Sequence, residues 1–253
     1  MLSVATWNVL SPAFTTPERY PSVDASVLDA TYRINRITDW VLSNQINVTC
    51  LQEATWPLVD KLTSALGPER VLWLPREFRR SDGLAIVLSA EVAVLNYEEL
   101  TMPSSKDRSR VAQVMDFRFN DTFYSLANVH ISWAAPTDER GSNRALTQIR
   151  TVLNALASHS PDTHILVGDV NAPPNSKLRG LLAEEGLVEL QGDSPTAYVN
   201  GHPASLDVIT ARNVRAKMRP PLFDSSRPLP SPQCPSDHIP LTADLETTST
   251  QSD

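Results

Sequence analysis

The chain alternates between short apolar runs and amphipathic segments. Runs rich in branched and aromatic residues are typical of buried strands. They predict strands at residues 2–10, 46–51, 71–74, 84–88, 92–97, 111–119, 122–131, 163–167, 205–210 and 238–245. Apolar residues at helical spacing predict helices at residues 31–44, 55–66, 143–159 and 176–185. Strands and helices that alternate along a whole chain indicate an α/β fold.

Long proline-bearing segments separate some of these elements. Residues 11–30 and 212–233 are predicted to be irregular loops, and the polar residues 246–253 a disordered tail. No internal repeat or linker divides the rest of the chain. Since the first and last strands both carry candidate site residues, we predict a single domain over residues 1–245.

Composition and charge narrow the classes of partner. The chain has 253 residues, of which 41% are hydrophobic and 20% charged, enough for a sizeable core. Its net charge of −7 argues against a protein that clamps long nucleic acid through many phosphates, because such proteins are usually basic. An acidic surface with a local arginine pocket suits a small or flexible phosphate-bearing substrate better.

Other classes are disfavoured by what the sequence lacks. Cys50 and Cys234 form no CxxC pair, so neither a zinc site nor a disulfide framework is predicted. No apolar run reaches the roughly 18 residues that span a membrane. The N-terminus lacks the basic region of a signal peptide. We therefore expect a cytoplasmic or otherwise intracellular protein, and no obligate protein partner is inferred.

Polar side chains close the first two long apolar strands. Asn8 ends one of them, where it either caps the strand or faces inward as a ligand. Glu53 ends the other, and a buried carboxylate there is costly without a partner. In open α/β sheets the carboxyl ends of the strands are where ligands bind. Both positions are therefore candidate site residues.

Further polar residues occupy strand ends later in the chain. They are His130, Asp169, Asn171, Asp207 and the adjacent pair Asp237 and His238. Oxygen donors outnumber histidines in the combined set, which favours Mg²⁺ or Mn²⁺ over zinc. A hard cation with a histidine nearby suits phosphoryl chemistry.

Seven short stretches, in this order, resemble the endonuclease/exonuclease/phosphatase superfamily. They are residues 6–10 (TWNVL), 51–53 (LQE), 83–86 (GLAI), 128–130 (NVH), 168–171 (GDVN), 206–209 (LDVI) and 236–240 (SDHIP). No single stretch is specific to the family, but the order and spacing of the seven are. The resemblance extends over nearly the whole chain. The resemblance implies a four-layer α/β sandwich, with two mixed β-sheets face to face and helices outside.

The resemblance also implies a metal site. Glu53 looks like the principal ligand with Asn8 beside it, and Asp237 resembles a second metal-site or water-site carboxylate. The abasic-site endonuclease and tyrosyl-DNA phosphodiesterase branches carry an aspartate two residues after the first-strand asparagine, where this chain has Leu10. Metal binding through the first strand therefore rests on Asn8, and the number of metal ions stays open.

The same resemblance gives roles to the remaining site residues. Asp169 looks like the group that orients or deprotonates the attacking water, and Asn171 like a phosphate or metal contact. His238 looks like the histidine that contacts the scissile phosphate and assists proton transfer, with Asp207 as its buried partner. His130 resembles a phosphate-contacting histidine. The TWNVLS stretch looks like the deadenylase/nocturnin branch, whereas the helix after His130 resembles the tyrosyl-DNA phosphodiesterase branch.

The function implied is Mg²⁺- or Mn²⁺-dependent hydrolysis of a phosphodiester in RNA, DNA or a nucleotide. Arg110 and Arg144 are candidate phosphate contacts. Thr196, Tyr198 and the two long loops are candidates for shaping the substrate pocket. Two alternatives stay open: a phosphatase or phospholipase for inositol phosphates or sphingomyelin, and a non-catalytic binding module with the same fold.

Overall fold

The computed structural model describes residues 1–76, 82–103, 110–135, 137–159 and 161–248. The strands in chain order are β1 (Leu2–Asn8), β2 (Val48–Thr55), β3 (Val71–Pro75), β4 (Asp82–Leu88), β5 (Val92–Met102), β6 (Arg110–Phe119), β7 (Thr122–His130), β8 (His164–Asp169), β9 (Val188–Glu189), β10 (Ala197–Val199), β11 (His202–Ala204), β12 (Asp207–Ala211), β13 (Val214–Met218) and β14 (Leu241–Thr247). The helices are α1 (Ala25–Leu28), α2 (Ala30–Asn44), α3 (Trp56–Leu66), α4 (Glu139–Ser158) and α5 (Lys177–Glu184).

Twelve of these strands form two mixed sheets with the same plan. The strand orders are β13-β14-β1-β2-β4-β3 and β5-β6-β7-β8-β12-β9. Each sheet has one central parallel pair, β1 with β2 and β7 with β8, and its other described pairs are antiparallel. A parallel pair needs a crossover connection, which α2 and α4 supply. The two-sheet α/β sandwich predicted from the sequence is confirmed.

The apolar core lies in two layers. The first joins the two sheets and includes Leu51, Ile86, Leu126 and Val167. The second packs α4 and α5 against the outer face of the second sheet. Within the described ranges, no helix combines the length and the apolar character that crossing a bilayer requires.

Several element boundaries differ from the prediction. The predicted loop at residues 11–30 contains a short 3₁₀ helix, Pro12–Phe14, and α1, because Ser11 and Asp24 accept capping bonds at their starts. α4 begins one turn before residue 143, since the Asp138 side chain caps it by accepting from Gly141 N.

The C-terminal region holds more strand than predicted. Residues 212–233 were expected to be irregular, but they contain β13, whose alternating apolar and charged residues pair with β14. β14 itself runs through Glu246 and Thr247, which were predicted to lie in the tail. Residues 249–253, and the basic loop that carries Lys106 and Arg108, lie outside the described residues.

Gly168 allows β7 and β8 to approach each other just before the candidate site. Its φ is +140°, and a Cβ atom would lie 2.0 Å from the carbonyl oxygen of Val129.

Replacing Gly168 with alanine should therefore cost about 3 kcal/mol of unfolding free energy, measured by urea denaturation. Gly180 in α5 has open space around its Cβ position, so its alanine variant should be stabilised by about 0.5–1 kcal/mol. Equal urea midpoints for the two variants would contradict this reading of Gly168.

Candidate active site

The ends of β1, β7 and β8 and the start of β12 bring four predicted site residues to one edge of the sandwich. β1 ends at Asn8, β7 at His130 and β8 at Asp169. Asp169 pairs with His130 on one side and with Asp207, the first residue of β12, on the other. Asn8 Nδ2 donates to Asp169 Oδ2 over 3.0 Å, which joins the first sheet to the second.

Glu53 is turned toward this cluster by an irregularity in β2. The pairing of β2 with β4 shifts between Gln52 and Ala54, and Glu53 has a positive φ of 56°. A bulge of this kind re-aims a side chain, and a left-handed non-glycine residue is strained. The Ser11 backbone N–H donates to Glu53 Oε2 over 2.8 Å. Glu53 Oε1 lies 3.9 Å from His130 Nε2.

Asp169 is the central carboxylate of the cluster and is 1% exposed. Its Oδ1 accepts a bond of 2.9 Å from the Asn171 backbone N–H. Its Oδ2 lies 3.5 Å from His130 Nε2 and 3.9 Å from His238 Nε2. Burial raises the pKa of Asp169 to about 7, although His238 and Asn8 act in the opposite direction. A carboxylate with such a pKa can take up a proton near neutral pH.

His238 and Asp207 form a buried hydrogen-bonded pair. His238 Nδ1 lies 2.8 Å from Asp207 Oδ2, which also accepts a bond of 2.6 Å from Thr196 Oγ1. Burial lowers the pKa of His238, but the charge of Asp207 and the hydrogen bond to it outweigh burial and raise the pKa well above its ordinary value. Trp7 Nε1 donates to the His238 carbonyl over 2.9 Å and fixes the backbone. The pair therefore directs Nε2 of His238 toward Asp169.

Asp237 contacts a residue that the sequence analysis missed. Tyr20 donates its hydroxyl to Asp237 Oδ2 over 2.8 Å. Burial, followed by the charge of Asp237, raises the pKa of Tyr20, and Glu53 adds to the effect. Tyr20 lies in a segment without hydrophobic periodicity, so nothing in the sequence pattern distinguished it from other loop residues.

Arg33 is a second missed residue and is 1% exposed. Its Nε donates to the Pro235 carbonyl over 2.6 Å, and its Nη2 to those of Val9 and Leu10 over 2.5 Å each. Burial lowers the pKa of Arg33 to about 10, opposed by the charge of Asp237. It therefore clamps the two segments that carry Asn8 and Asp237. Its position four residues before Ile37, on the buried face of α2, can be read from the sequence, but its carbonyl partners cannot.

Buried amides brace the strands beneath the site. Gln52 Nε2 donates to Thr6 Oγ1 over 3.0 Å and to Asn128 Oδ1 over 2.8 Å. Asn128 Nδ2 in turn donates to Gln113 Oε1 over 2.9 Å. The bond from Gln52 to Asn128 crosses between the sheets next to Glu53, and the other two tie it to the neighbouring strand of each sheet.

The remaining predicted residues lie at different distances from the cluster. Asn171 Nδ2 donates to the Ile131 carbonyl over 3.0 Å, and Arg110 Nη1 donates to the His130 carbonyl over 3.2 Å. Both are thus in contact with the segment that follows β7. Arg144 lies in the second turn of α4, and within the described ranges no hydrogen bond or ion pair joins it to the cluster. Its role in phosphate binding stays a prediction.

The donor set fits a divalent cation. Asp169, Asp207 and His238 each offer one ligand atom, and these atoms lie within 4.8 Å of one another. Among the described residues, Asp207 Oδ1 is buried without a hydrogen-bond partner. However, Asp207 Oδ2 and His238 Nδ1 bond to each other, which makes this trio a poorer ligand set than its spacing suggests. Glu53, held in a strained conformation at the same edge, offers a carboxylate oxygen of the kind that Mg²⁺ prefers.

Comparisons with known proteins bear on the family and on the fold. A sequence model described as the Endonuclease/Exonuclease/phosphatase family matches residues 5–238. A search of curated proteins gave no match to the sequence.

Solved structures with the same fold match nearly the full length. The crystal structure of ANGEL2, a 2′,3′-cyclic phosphatase, in complex with adenosine-2′,3′-vanadate has a TM-score of 0.84 and 18% identity, covering 96% of this chain and 95% of that one. The human Nocturnin catalytic domain with bound sulfate has a TM-score of 0.72 and 18% identity, covering 98% and 93%. D. rerio TDP2 with a single-strand DNA product has a TM-score of 0.68 and 17% identity, covering 97% and 99%.

Proposed function

Because the chain belongs to the endonuclease/exonuclease/phosphatase family of phosphoesterases, we propose that it hydrolyses a phosphodiester in a nucleic acid or a nucleotide with the help of Mg²⁺ or Mn²⁺. The observation that carries this proposal is the hydrogen-bonded pair of His238 and Asp207, with His238 Nε2 facing Asp169 across 3.9 Å. That separation is too long for a hydrogen bond. A phosphate oxygen or a water molecule beside His238 Nε2 and Asp169 Oδ2 would be within hydrogen-bonding reach of both atoms.

Asp169 is assigned the acceptance of the proton from the attacking water. Its raised pKa and its buried position suit this task. The water oxygen forms a bond to phosphorus while the bond from phosphorus to the leaving oxygen breaks. The backbone N–H of Asn171 and the amide of Asn8 hold the Asp169 carboxylate in one orientation.

His238 and His130 are assigned the stabilisation of negative charge on the phosphoryl group. The Asp207 carboxylate accepts from Nδ1 of His238, which favours the protonated ring and leaves an N–H at Nε2. That N–H donates to a phosphate oxygen and returns a proton to the leaving alkoxide. His130, whose Nε2 lies 3.5 Å from Asp169, approaches the same carboxylate from β7.

The cation is assigned three ligands, Glu53, Asn8 and Asp237. The hydroxyl of Tyr20 and the charge of Arg33 hold Asp237 in place. When bound there, Mg²⁺ or Mn²⁺ would neutralise charge on the phosphate oxygens. The side-chain oxygen Oδ1 of Asn8 accepts from Leu10 N over 3.0 Å and keeps a second lone pair for a metal ion. The backbone of Leu10 therefore supports Asn8 as a metal ligand, and the Leu10 side chain offers no ligand atom of its own.

The test is a substrate panel run with Mg²⁺ and with chelator. The panel contains single-stranded RNA, single- and double-stranded DNA, bis-p-nitrophenyl phosphate, a nucleoside 2′,3′-cyclic phosphate, an inositol polyphosphate and sphingomyelin. The cyclic phosphate is included because of the fold shared with ANGEL2. We expect a nucleic acid or nucleotide to be cleaved, and chelator to abolish cleavage.

Two histidine variants provide the matched controls. His238→Ala should lower the rate by about 10²–10³-fold. His202→Ala should leave the rate unchanged, because His202 is an exposed residue of β11. Cleavage by His238→Ala at the parental rate would reject the catalytic assignment. Cleavage of only the inositol phosphate or sphingomyelin would replace the proposed substrate class.

A further inference from the structure

Two exposed tryptophans lie beside the candidate active site. The chain has five tryptophans. Trp7 and Trp40 are buried, and Trp73 is partly buried against the core. Trp56 and Trp133 are 59% and 60% exposed. An exposed indole offers a large aromatic face and an N–H donor, so two such residues close to the cluster are candidate ligand contacts.

Both tryptophans have the same offset in sequence from a residue of the cluster. Trp56 comes three residues after Glu53, and Trp133 three residues after His130. Three residues span at most about 11 Å between Cα atoms. Since Glu53 Oε1 and His130 Nε2 are 3.9 Å apart, the two tryptophans extend from the two strand ends that meet at the site.

The backbone that carries Trp133 is held rigidly. The Ile131 N–H donates to the Asp169 carbonyl over 2.9 Å, and the Ser132 N–H donates to Gln148 Oε1 over 2.9 Å. Gln148, which is fully buried, also donates to Ser132 Oγ over 3.0 Å. The backbone that leads into Trp133 is therefore fixed, so a ligand that binds against it need not order that backbone.

Trp56 is held by regular structure on both sides. It is the first residue of α3, and the preceding residue, Thr55, still pairs with Asp82 of β4. No other exposed large apolar side chain lies on these two segments in the described part of the chain. The surface is therefore two separate aromatic faces and not a continuous apolar patch.

We propose that Trp56 and Trp133 are stacking platforms for unpaired bases on either side of the scissile phosphate, so that the substrate is single-stranded RNA or DNA. This inference rests on the proposed function and adds its substrate class. A phosphodiester between two nucleosides carries one base on each side, which matches two separate aromatic faces. Aromatic stacking tolerates any base, because every base has a π-face. It also suits an acidic protein, because stacking does not depend on positive charge.

The test measures binding apart from catalysis. Glu53→Gln protein is titrated in Mg²⁺ with a short oligothymidylate, an oligouridylate and an abasic oligonucleotide of equal length, and tryptophan fluorescence is recorded. Adding Trp56→Ala or Trp133→Ala should weaken binding of the two base-bearing strands roughly 5- to 150-fold and reduce quenching. Binding of the abasic strand should stay unchanged. Phenylalanine at either position should restore most of the affinity.

Phe123→Ala is the matched control. Phe123 is 52% exposed and lies near the start of β7, about 23 Å along the strand from His130. Its variant should bind all three strands as the parent does. Tryptophan variants that bind like Phe123→Ala would overturn the inference. A blue-shifted emission with sphingomyelin vesicles, and no response to the oligonucleotides, would overturn it in favour of membrane contact.

Separate outcomes identify which proposal fails. Tryptophan-dependent binding of oligonucleotides without any hydrolysis would reject the proposed phosphodiesterase activity and support the stacking platforms. Hydrolysis of oligonucleotides at the parental rate by both alanine variants would support the phosphodiesterase activity and reject the stacking platforms.

Discussion

Replacing Asp169 with asparagine is expected to lower the rate of phosphoester hydrolysis by about 10²–10⁴-fold. The amide cannot accept a proton from water, whereas Asp169 lies between His130 and His238 with a pKa raised to about 7. The side chain keeps its volume, so the core should repack little. Single-turnover kinetics with saturating substrate would measure the loss in the chemical step.

The stability of the same variant should depend less on pH than that of the parent when no metal is present. Burial raises the pKa of Asp169 from its ordinary 3.8 to about 7, so the folded parent binds the proton more tightly than the unfolded chain does. The parent therefore loses stability as the pH rises from about 4 to about 7, and asparagine does not titrate. In chelator, the melting temperature of Asp169→Asn minus that of the parent should grow across this interval and level off above it.

An exposed aspartate provides the control for both measurements. Asp193→Asn should match the parent in rate and in melting temperature at every pH, because Asp193 is exposed to solvent. A variant at position 169 that keeps more than a tenth of the parental rate would remove Asp169 from the proton-transfer role.

The Glu53→Gln variant is expected to lose about 10²–10³-fold in rate. Glutamine retains one carbonyl oxygen but loses the charge that a hard cation prefers, so the affinity for Mg²⁺ should fall with the rate. Calorimetric titration of the protein with Mn²⁺ would measure the affinity without any substrate. Because the strained backbone of residue 53 aims its side chain at the site, we expect no other carboxylate to take the place of Glu53 in the variant.

Glu91→Gln is the control for that experiment. Glu91 is exposed in the turn between β4 and β5, and its variant should bind Mn²⁺ as the parent does. If Glu53→Gln binds the ion normally but still loses activity, Glu53 acts on the substrate and not on the metal ion.

Much of the fold could be predicted because its strands are short apolar runs with helices between them. The positions of Asn8, His130 and Asp169 followed from one rule, that polar residues at the carboxyl ends of central strands share an edge. The pairing of His238 with Asp207 followed from the resemblance to the family. These residues can be recognised in the sequence because burying a polar group in an apolar strand costs free energy unless the group has a partner.

The residues that were missed depend on contacts that a linear pattern does not contain. Tyr20 reaches Asp237 across 217 positions of sequence, and its loop gave no periodic signal. Arg33 resembled one more charge on an amphipathic helix until its three carbonyl partners were seen. β13 was missed for another reason, since an edge strand with alternating charges has a weak apolar pattern.

The site is divided between sequence positions that are synthesised at very different times. Ser236 Oγ donates to the Asn8 carbonyl, and Trp7 donates to the His238 carbonyl, across 228 and 231 positions. A nascent chain emerging from the ribosome therefore holds Asn8 and Glu53 long before it holds the histidine that they need. Contacts of such long range form late in folding. Phosphoesterase activity should accordingly arise only after β14 has paired with β1, so a growing polypeptide should not yet hydrolyse the substrate of the finished protein.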